Sequence, residues 1–205
     1  MSDGCQLSLW GEPEEGSLVR RVLGSDYLDL VVVHYQAAEY LTPGGMCRVV
    51  LTLETSAGQE IVDGQGVGLV DAVYRGLMQH FTRRFTSLAG LTFSGFSIQG
   101  QMETGRQPTG LDALVEVEIA VTNPDGRRYR FGARGRSTMA AALAAVVELA
   151  ERFVNAERAY VHLHHALADA EARQRPDLVD QYTAALADLV RTNGFEAISA
   201  RVRPR

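Results

Sequence analysis

The sequence has few cysteines and no long apolar run. Its 205 residues include two cysteines, Cys5 and Cys47, which lie far apart in the chain. A disulfide framework or a zinc site needs clustered ligands, so we expect neither, and we expect no other cofactor. No segment approaches the roughly 18 to 20 apolar residues of a membrane span, and the N-terminus has no basic region followed by an apolar one. These absences predict a soluble, cytoplasmic protein without a membrane partner.

The sequence also lacks an excess of positive charge. Its formal net charge is -5, whereas nucleic-acid-binding domains usually carry a basic surface. The one basic cluster, RRYRFGARGR at 127–136, alternates Arg128 and Arg130 with Tyr129 and Phe131. This alternation is typical of a half-exposed strand. We therefore expect no nucleic-acid partner.

Glycines are concentrated ahead of a strongly amphipathic segment. IVDGQGVGLVDAVYRGL, residues 61–77, places Gly64, Gly66 and Gly68 between a strand-like run and a helical run. The dinucleotide fingerprint G-x-G-x-x-G is not met because position 69 is Leu69, and no Gly-Lys-Ser/Thr follows to make a P-loop. A glycine turn at a helix N-terminus offers backbone N–H groups to one small anion, such as a carboxylate. The alternative is that these glycines only form a turn.

Three predicted strands and a predicted helix surround this turn. Residues 28–35 are rich in β-branched side chains and 47–55 alternate apolar and polar side chains, so both segments predict strands. A short third strand passes through Val62. Apolar residues then recur at helical spacing, which predicts a helix with one buried stripe. The stripe consists of Val70, Val73, Tyr74, Leu77 and Phe81.

The same order of elements then returns. Segments 91–101 and 113–121 are strand-like, an Asn-Pro-Asp-Gly turn follows, and a third short strand leads into an alanine-rich helix. Gly66 and Gly135 lie 69 residues apart, and this offset superposes the two junctions between loop and helix. The chain is therefore predicted to be internally duplicated.

The repetition predicts an α+β fold in which duplicated βββα units form antiparallel sheets packed by helices. We expect a central domain at 27–160 made of two repeats, 27–86 and 90–160. Residues 1–26 are expected to be a flexible arm, because proline, glycine and acidic residues dominate there. Residues 161–205 are expected to form a C-terminal helical extension.

Helix signals mark the C-terminal part of the chain. Ser137 or Thr138 is expected to cap a helix that runs from about 138 to about 173. Pro176 opens a further amphipathic helix, and Asn193 with Gly194 ends it. Such a helical hairpin could cover the sheet, extend a dimer or dock a partner.

The histidines at 162–165 are the most tempting catalytic or metal site. In a helix His162 and His164 point apart, and His162 shares a face with His165, which lies four residues before Asp169. This spacing completes at best a partial metal site, so exposed histidines are expected. No nucleophile is flanked by a recognisable activating motif. We therefore expect a non-catalytic protein, with an enzyme of unrecognised site as the alternative.

Three short motifs on the duplicated frame resemble a known family. GVGLVDA at 66–72, GLDALVEV at 110–117 and RGRSTMAAA at 134–142 occur in this order. They are similar to G-N-G-P-V-D-A, G-T-D-A-x-x-E-V and R-G-x-S-T-D-I-I of the C-terminal regulatory domain of α-isopropylmalate synthase, the leucine-inhibited first enzyme of leucine biosynthesis. FVNAE at 153–157 resembles the end of that family's last helix. The resemblance covers roughly residues 28–158.

The resemblance implies an allosteric domain that forms a homodimer. In the family, leucine binds at the dimer interface against the glycine turns and inhibits a separate TIM-barrel catalytic domain. Such a barrel needs about 250 residues, and fewer than about 30 precede the first predicted strand. We therefore expect a free-standing regulatory module that acts on a synthase supplied by another chain.

The resemblance also implies a ligand site. Carried over residue by residue, Gly66, Val67 and Gly68 meet the amino acid through backbone groups. Leu69 and Ala72 form a wall for its side chain. The second edge of the pocket is expected to consist of Gly110, Leu111, Asp112 and Ala113.

The chain departs from the family pattern at several of these motif positions. Val67, Leu69, Leu111 and Met139 stand where the family has Asn, Pro, Thr and Asp. A buried polar group left without a partner costs about 1 to 3 kcal/mol, while burial of a leucine-sized side chain contributes roughly 1.5 to 3 kcal/mol. A branched-chain amino acid or a related small acid is therefore the expected ligand. The alternative is a structural dimerisation or adaptor module whose pocket is closed by Val67 and Leu111.

Overall fold

The computed structural model describes residues 6–8, 13–41, 44–101 and 113–193. Within these ranges the strands are β1 (Gln6–Ser8), β2 (Val31–Glu39), β3 (Cys47–Thr55), β4 (Gly58–Gly66), β5 (Thr92–Gln101), β6 (Leu114–Thr122) and β7 (Arg128–Gly135). The helices are α1 (Pro13–Leu23), α2 (Leu69–Phe81), α3 (Thr138–Ala172) and α4 (Pro176–Asn193). Short 3-10 helices lie at Gly24–Asp26 and Thr86–Leu88.

These elements form two βββα units, which confirms the predicted α+β fold. β2, β3 and β4 make one antiparallel sheet followed by α2, and β5, β6 and β7 make a second followed by α3, with β1 added beside β7. The first strand of each unit has a register shift at its third residue, Val33 in β2 and Ser94 in β5. A bulge bends a strand and increases its twist. Its recurrence at the same place shows that the units share backbone detail as well as element order.

The helices and the inner faces of both sheets make one apolar core. α2 packs on β4 and β3, α3 packs on β7 and β6, and the two helices pack on each other. Every second residue of β3 from Cys47 to Leu53 is buried, as its alternation predicts. Because one cluster of buried side chains joins the two units, neither unit has a core of its own.

Glycines allow β4 and α2 to approach closely. A Cβ atom at Gly64 would overlap the carbonyl oxygen of Ala72 and stand 2.9 Å from the Cα of Gly76. Space alone therefore requires glycine at position 64. In the second unit Ala133 and Ala145 take the positions of Gly64 and Gly76, and both are fully buried.

Two polar side chains of α3 hold the segments that lead into the first strand of each unit. Asn155 is fully buried; its Oδ1 accepts from the backbone N of Leu28 and its Nδ2 donates to the carbonyl of Leu28, each over 2.8 Å. Glu157 accepts from the backbone N of Thr86 (3.1 Å) and of Ser87 (2.7 Å), ahead of β5. Buried backbone groups need partners. These bonds therefore fix both segments to α3.

The C-terminal helices follow the sequence closely. α3 and α4 begin and end within about a residue of the expected positions, and the two helices pack on each other. Ser137 caps α3 by accepting from the backbone N of Ala140 over 3.2 Å. α3 continues without a break through residue 161, where the helical extension was expected to begin.

The N-terminal segment differs from its expectation. The sequence predicts a flexible arm over residues 1–26, but α1 occupies part of this range and packs on α3 and α4. Val19 and Leu23 of α1 are buried in a second apolar cluster with residues of those helices. Pro13 is the first residue of α1 and two glutamates follow, and both features favour a helix N-terminus. Burial of the α1 stripe therefore outweighs the polar composition.

Candidate functional site

The glycine turn before α2 is closed by a side chain of its own helix. Asp71 Oδ2 accepts from the backbone N of Val67 (3.0 Å), and Asp71 Oδ1 accepts from Nε of Arg75 (2.9 Å). The same carboxylate stands 2.5 Å from where a Cβ of Gly66 would be. The positive end of α2 therefore already has a carboxylate beside it. These contacts explain the glycines as part of a turn.

The other predicted ligand residues of this turn differ in their exposure. Leu69 and Ala72 belong to the apolar core, and Ala72 is 0% exposed, so their role as a wall for a ligand stays a prediction. The methyl group of Ala72 packs between α2 and the sheet. Val67 is 78% exposed. A Cβ at Gly68 would meet nothing within 4 Å, so this residue faces open space.

The second predicted edge of the pocket lies mostly beyond the described residues. Gly110, Leu111 and Asp112 fall outside the described ranges. Ala113 is half-buried and directly precedes β6 in the second sheet, whereas the glycine turn belongs to the first. Met139, in the first turn of α3, is 38% exposed.

A cavity of about 470 Å³ lies between β2 and the first half of α3. Residues 30–35 form one side, and the other side is a single face of α3, made of Ala140, Leu143, Ala144, Val147, Glu148 and Glu151. Small-molecule sites typically measure about 300 to 1,000 Å³ and combine apolar walls with a few polar groups. The β2–α3 cavity has both properties.

Glu151, at one end of the β2–α3 cavity, is fully engaged by the protein. Its Oε1 accepts from the hydroxyl of Tyr27 and its Oε2 from the backbone N of Leu30, each over 3.0 Å, and Arg20 of α1 lies 3.9 Å away. Burial raises the pKa of Glu151, and these donors act in the opposite direction. Glu151 therefore fixes the start of β2 against α3 and thereby shapes the cavity.

Glu148, three residues earlier on the same face of α3, has no such partners. Its Oε2 is buried and accepts no hydrogen bond from the residues that the structure describes. Burial, followed by the negative charge of Glu151, raises the pKa of Glu148 to about 7. A buried polar group without a partner is costly, and perturbed acids in clefts are frequent at functional sites. Glu148 is thus the group in this cavity that is available to a ligand.

No protein-family model matches this chain, and no curated protein matches it. The cavity is therefore interpreted from its geometry and chemistry. Among the described residues, no three His, Cys, Asp or Glu side chains are grouped closely enough to hold a metal ion. His162 and His165 are exposed. No helix of the described part is long and apolar enough to cross a membrane.

Aromatic side chains occupy the cleft that corresponds to this cavity in the repeat, between β5 and α2. The rings of Tyr74 and Phe93 meet edge to face with centroids 5.3 Å apart, and the Tyr74 hydroxyl donates to the carbonyl of Leu91 over 2.8 Å. Burial raises the pKa of Tyr74 to about 12, so this hydroxyl remains a donor. Leu143 and Val32 take the corresponding positions beside the cavity. The absence of rings at these two positions accounts for the open volume.

A second cavity, of about 670 Å³, lies between the β6–β7 turn, α3 and α4. Its polar groups are largely paired within the protein: Asn123 accepts from the backbone N of Arg127 (2.8 Å), and Arg127 donates to the carbonyl of Arg191. His164 packs its ring against Tyr160, with centroids 4.4 Å apart, and burial lowers the pKa of His164. These paired groups offer a ligand less than Glu148 does.

Sequence reasoning missed a polar stripe of α3, two residues of which line the β2–α3 cavity. Glu148, Glu151 and Asn155 recur at i, i+3 and i+7, which places them on one face of α3. The signal is a polar stripe in a helix that is otherwise rich in alanine and valine. The same spacing describes a stripe that faces solvent. Only the packing of the β2 segment against this face identifies the stripe as part of a site.

Proposed function

We propose that this chain is a non-catalytic, dimeric module that senses a small molecule, resembling the leucine-feedback domain of α-isopropylmalate synthase. The β2–α3 cavity is the observation that carries the proposal. It has the size of a metabolite site, its walls are aliphatic, and it contains a buried carboxyl oxygen that has no partner among the described residues. The duplicated βββα frame supports the proposal because the resemblance implies this architecture.

The ligand is placed in the β2–α3 cavity and not at the glycine turn. At the turn, Asp71 already pairs with the Val67 backbone N, and Ala72 is buried. An anionic ligand there would have to displace that carboxylate. Around the cavity, Leu143 and Val147 present apolar surface without a comparable competitor. Branched-chain amino acids and their 2-oxo acids have apolar bodies of a size that fits this volume.

A homodimer belongs to the same proposal. β2 is the last strand of its sheet, so one side of its backbone is unpaired by the described strands. Three large side chains of this strand are exposed: Val31 (53%), Val33 (45%) and Tyr35 (37%). Exposed apolar edge strands are favourable sites for pairing with another chain. A second copy at β2 would also cover the open side of the cavity, which would couple ligand binding to assembly.

Calorimetry on the full chain tests the sensor function. Leucine, isoleucine, valine and the matching 2-oxo acids are titrated, and we expect saturable heat with at least one compound. Leu143→Phe fills the cavity and is expected to abolish that heat, whereas the matched substitution Leu114→Phe, at an exposed position of β6, retains it. A folded chain that gives no heat with any of these compounds contradicts the function. Unchanged heat in Leu143→Phe contradicts the placement of the site.

Sedimentation analysis tests the dimer. We expect the wild-type chain to sediment as a dimer and Val33→Lys to sediment as a monomer, because a lysine on the unpaired side of β2 disfavours strand pairing. The exposed residues of β2 favour one further candidate, a structural dimerisation or adaptor module without a ligand. A dimer that persists in Leu143→Phe, with no heat from any compound in the wild type, would favour that candidate. Turnover of acyl-CoA and 2-oxo acids by the isolated chain would instead show an enzyme.

A further inference from the structure

The head group of the ligand can be inferred from the two carboxyl groups of the β2–α3 cavity. Glu151 uses both oxygens for the Tyr27 hydroxyl and the Leu30 backbone N. Glu148 Oε2 is buried and accepts nothing from the described residues. The cavity therefore contains one carboxyl with both oxygens hydrogen-bonded and one whose Oε2 accepts no hydrogen bond from the described residues. A bound molecule that supplies this donor would remove the cost of a buried, unpaired acceptor.

The charge around the cavity selects the kind of donor. Among the described residues its lining includes two acids, Glu148 and Glu151, and one base, His34, which belongs to β2 and is exposed. A ligand carboxylate in this space would face two acids of like charge. An ammonium group would form a charge-assisted hydrogen bond with Glu148, which is stronger than a hydrogen bond between neutral groups. The raised pKa of Glu148 has two causes, burial and then the negative charge of Glu151.

The remaining walls select the body of the ligand. Leu143, Ala144 and Val147 lie on successive turns of α3 and expose aliphatic surface to the cavity, with Val32 on the opposite side. Tyr74 and Phe93 take the corresponding places in the other cleft. The open volume thus has room for roughly the apolar groups that these two rings supply in the other unit.

The acid at position 148 is not shared by the two units. Gln79 of α2 occupies the position that corresponds to Glu148, and it is exposed. A half-buried acid therefore occurs at the open cleft and not at the filled one. This pairing of an open volume with an unpaired carboxyl is what a ligand site needs.

We infer that the β2–α3 cavity binds a small protonated amine with a compact aliphatic body, whose ammonium group donates to Glu148. This inference rests on the proposed sensor function and specifies its ligand class: a protonated amine, and not a 2-oxo acid. Three probes with nearly the same apolar body test it: 3-methylbutylamine, 3-methylbutan-1-ol and 3-methylbutanoate. Leucine serves as a fourth probe, to show whether an α-carboxylate is tolerated.

Calorimetry with the full chain and the isosteric variant Glu148→Gln gives the decisive comparison. We expect the wild type to bind the amine at least about tenfold more tightly than the alcohol, the factor that corresponds to roughly 1.4 kcal/mol. In Glu148→Gln we expect this preference to disappear, with affinity for the alcohol changed less than about threefold. Glu171→Gln, at an exposed position of the same helix, is the matched control and keeps the preference. Leu143→Phe abolishes binding of every probe.

The results distinguish a failure of the ammonium–Glu148 contact from a failure of the sensor function. Three results would overturn the inference: equal affinities for amine and alcohol, tighter binding of the carboxylate, or a preference for the amine that survives in Glu148→Gln. The sensor function would still stand if Leu143→Phe abolishes binding. No binding of any probe, leucine included, would overturn both. Should Glu148→Gln fail to fold, the ratio of amine to alcohol in the wild type decides the question.

Discussion

The cleft under β5 and the cleft under β2 are made from the same kind of unit but have different contents. Under β5, Tyr74 meets Phe93 and donates to a backbone carbonyl. Under β2, Leu143 and Val32 leave a volume of about 470 Å³ beside Glu148. The bulge lies at the same position in both units, and the two clefts differ in the size of these side chains. A duplicated fold can thus keep one copy for stability and leave the other available for binding.

The largest effect is expected where α3 holds the segment that leads into β2. Asn155→Ala leaves the backbone N and carbonyl of Leu28 without partners, at about 1 to 3 kcal/mol for each buried group. We expect the free energy of unfolding to fall by about 2 to 4 kcal/mol, measured by urea denaturation. Exposed His162, seven residues further along α3 and outside the lining of both cavities, supplies the control His162→Ala. A loss below about 1 kcal/mol in Asn155→Ala would show that β2 is held without this side chain.

A smaller effect is expected from the contact between β4 and α2. Gly64→Ala introduces a Cβ that overlaps the Ala72 backbone, and overpacking of this kind costs about 1 to 3 kcal/mol. Gly68→Ala is the matched control because a Cβ there meets nothing within 4 Å, and we expect a change of less than about 0.5 kcal/mol. Thermal unfolding of both variants measures the difference. Equal melting temperatures would mean that α2 is free to move away from the sheet.

One substitution is expected to open the cleft under β5. Tyr74→Leu copies the residue found at Leu143, and it removes one ring contact and the hydrogen bond to the Leu91 carbonyl. We expect a loss of about 1 to 2 kcal/mol in unfolding free energy. We also expect a second cavity, detectable by binding of the neutral probe 3-methylbutan-1-ol at two sites instead of one. Tyr74→Phe keeps the ring and is expected to leave the number of sites at one.

The smallest effect is a pH dependence that belongs to the open cleft. Glu148 has a raised pKa of about 7 against an ordinary value of 4.5, so between these values the native state binds more protons than the unfolded chain. The contribution of Glu148 to the free energy of unfolding therefore falls as pH rises from 4.5 to about 7, and it is lost at higher pH. The other ionisable side chains lining the cavity are Glu151, His34 and Tyr35.

Glu148→Gln removes this titration. We expect the variant to match the wild type near pH 4.5 and to be more stable at pH 8 by on the order of 1 kcal/mol, after discounting for partial exposure. Chemical denaturation at several pH values measures the difference. Glu171→Gln, which is exposed, should run parallel to the wild type throughout. If the stability of Glu148→Gln also follows that of the wild type at every pH, then the native state does not raise the pKa of Glu148.

Regular periodicity made most of the fold predictable. The buried stripe of α2, the alternation in β3, the cap at Ser137 and the proline that opens α4 are each local, and a local pattern is visible in sequence. The α1 helix was missed because its composition is polar and its stability comes from Val19 and Leu23 packing on distant helices. Tertiary burial of this kind has no local signal.

The candidate site was harder to predict than the fold. The glycine turn was predicted as the site because its residues are adjacent in sequence. Its Val67 backbone N, however, already donates to Asp71, four residues later. The cavity instead joins residues 30–35 to a face of α3 more than 100 residues later in the chain. No local pattern connects Glu148 with β2. The meeting of the two depends on how the units pack together, which the sequence pattern does not specify.

The length of α3 has a mechanical consequence. Its 35 residues extend over about 50 Å as one continuous helix. The first turns line the chamber under β2, the middle turns secure the starts of both sheets through Asn155 and Glu157, and the last turns carry α4. Because α3 is held near its middle, we expect a small tilt of the helix beside Glu148 to move its far end, which carries α4, by a larger distance.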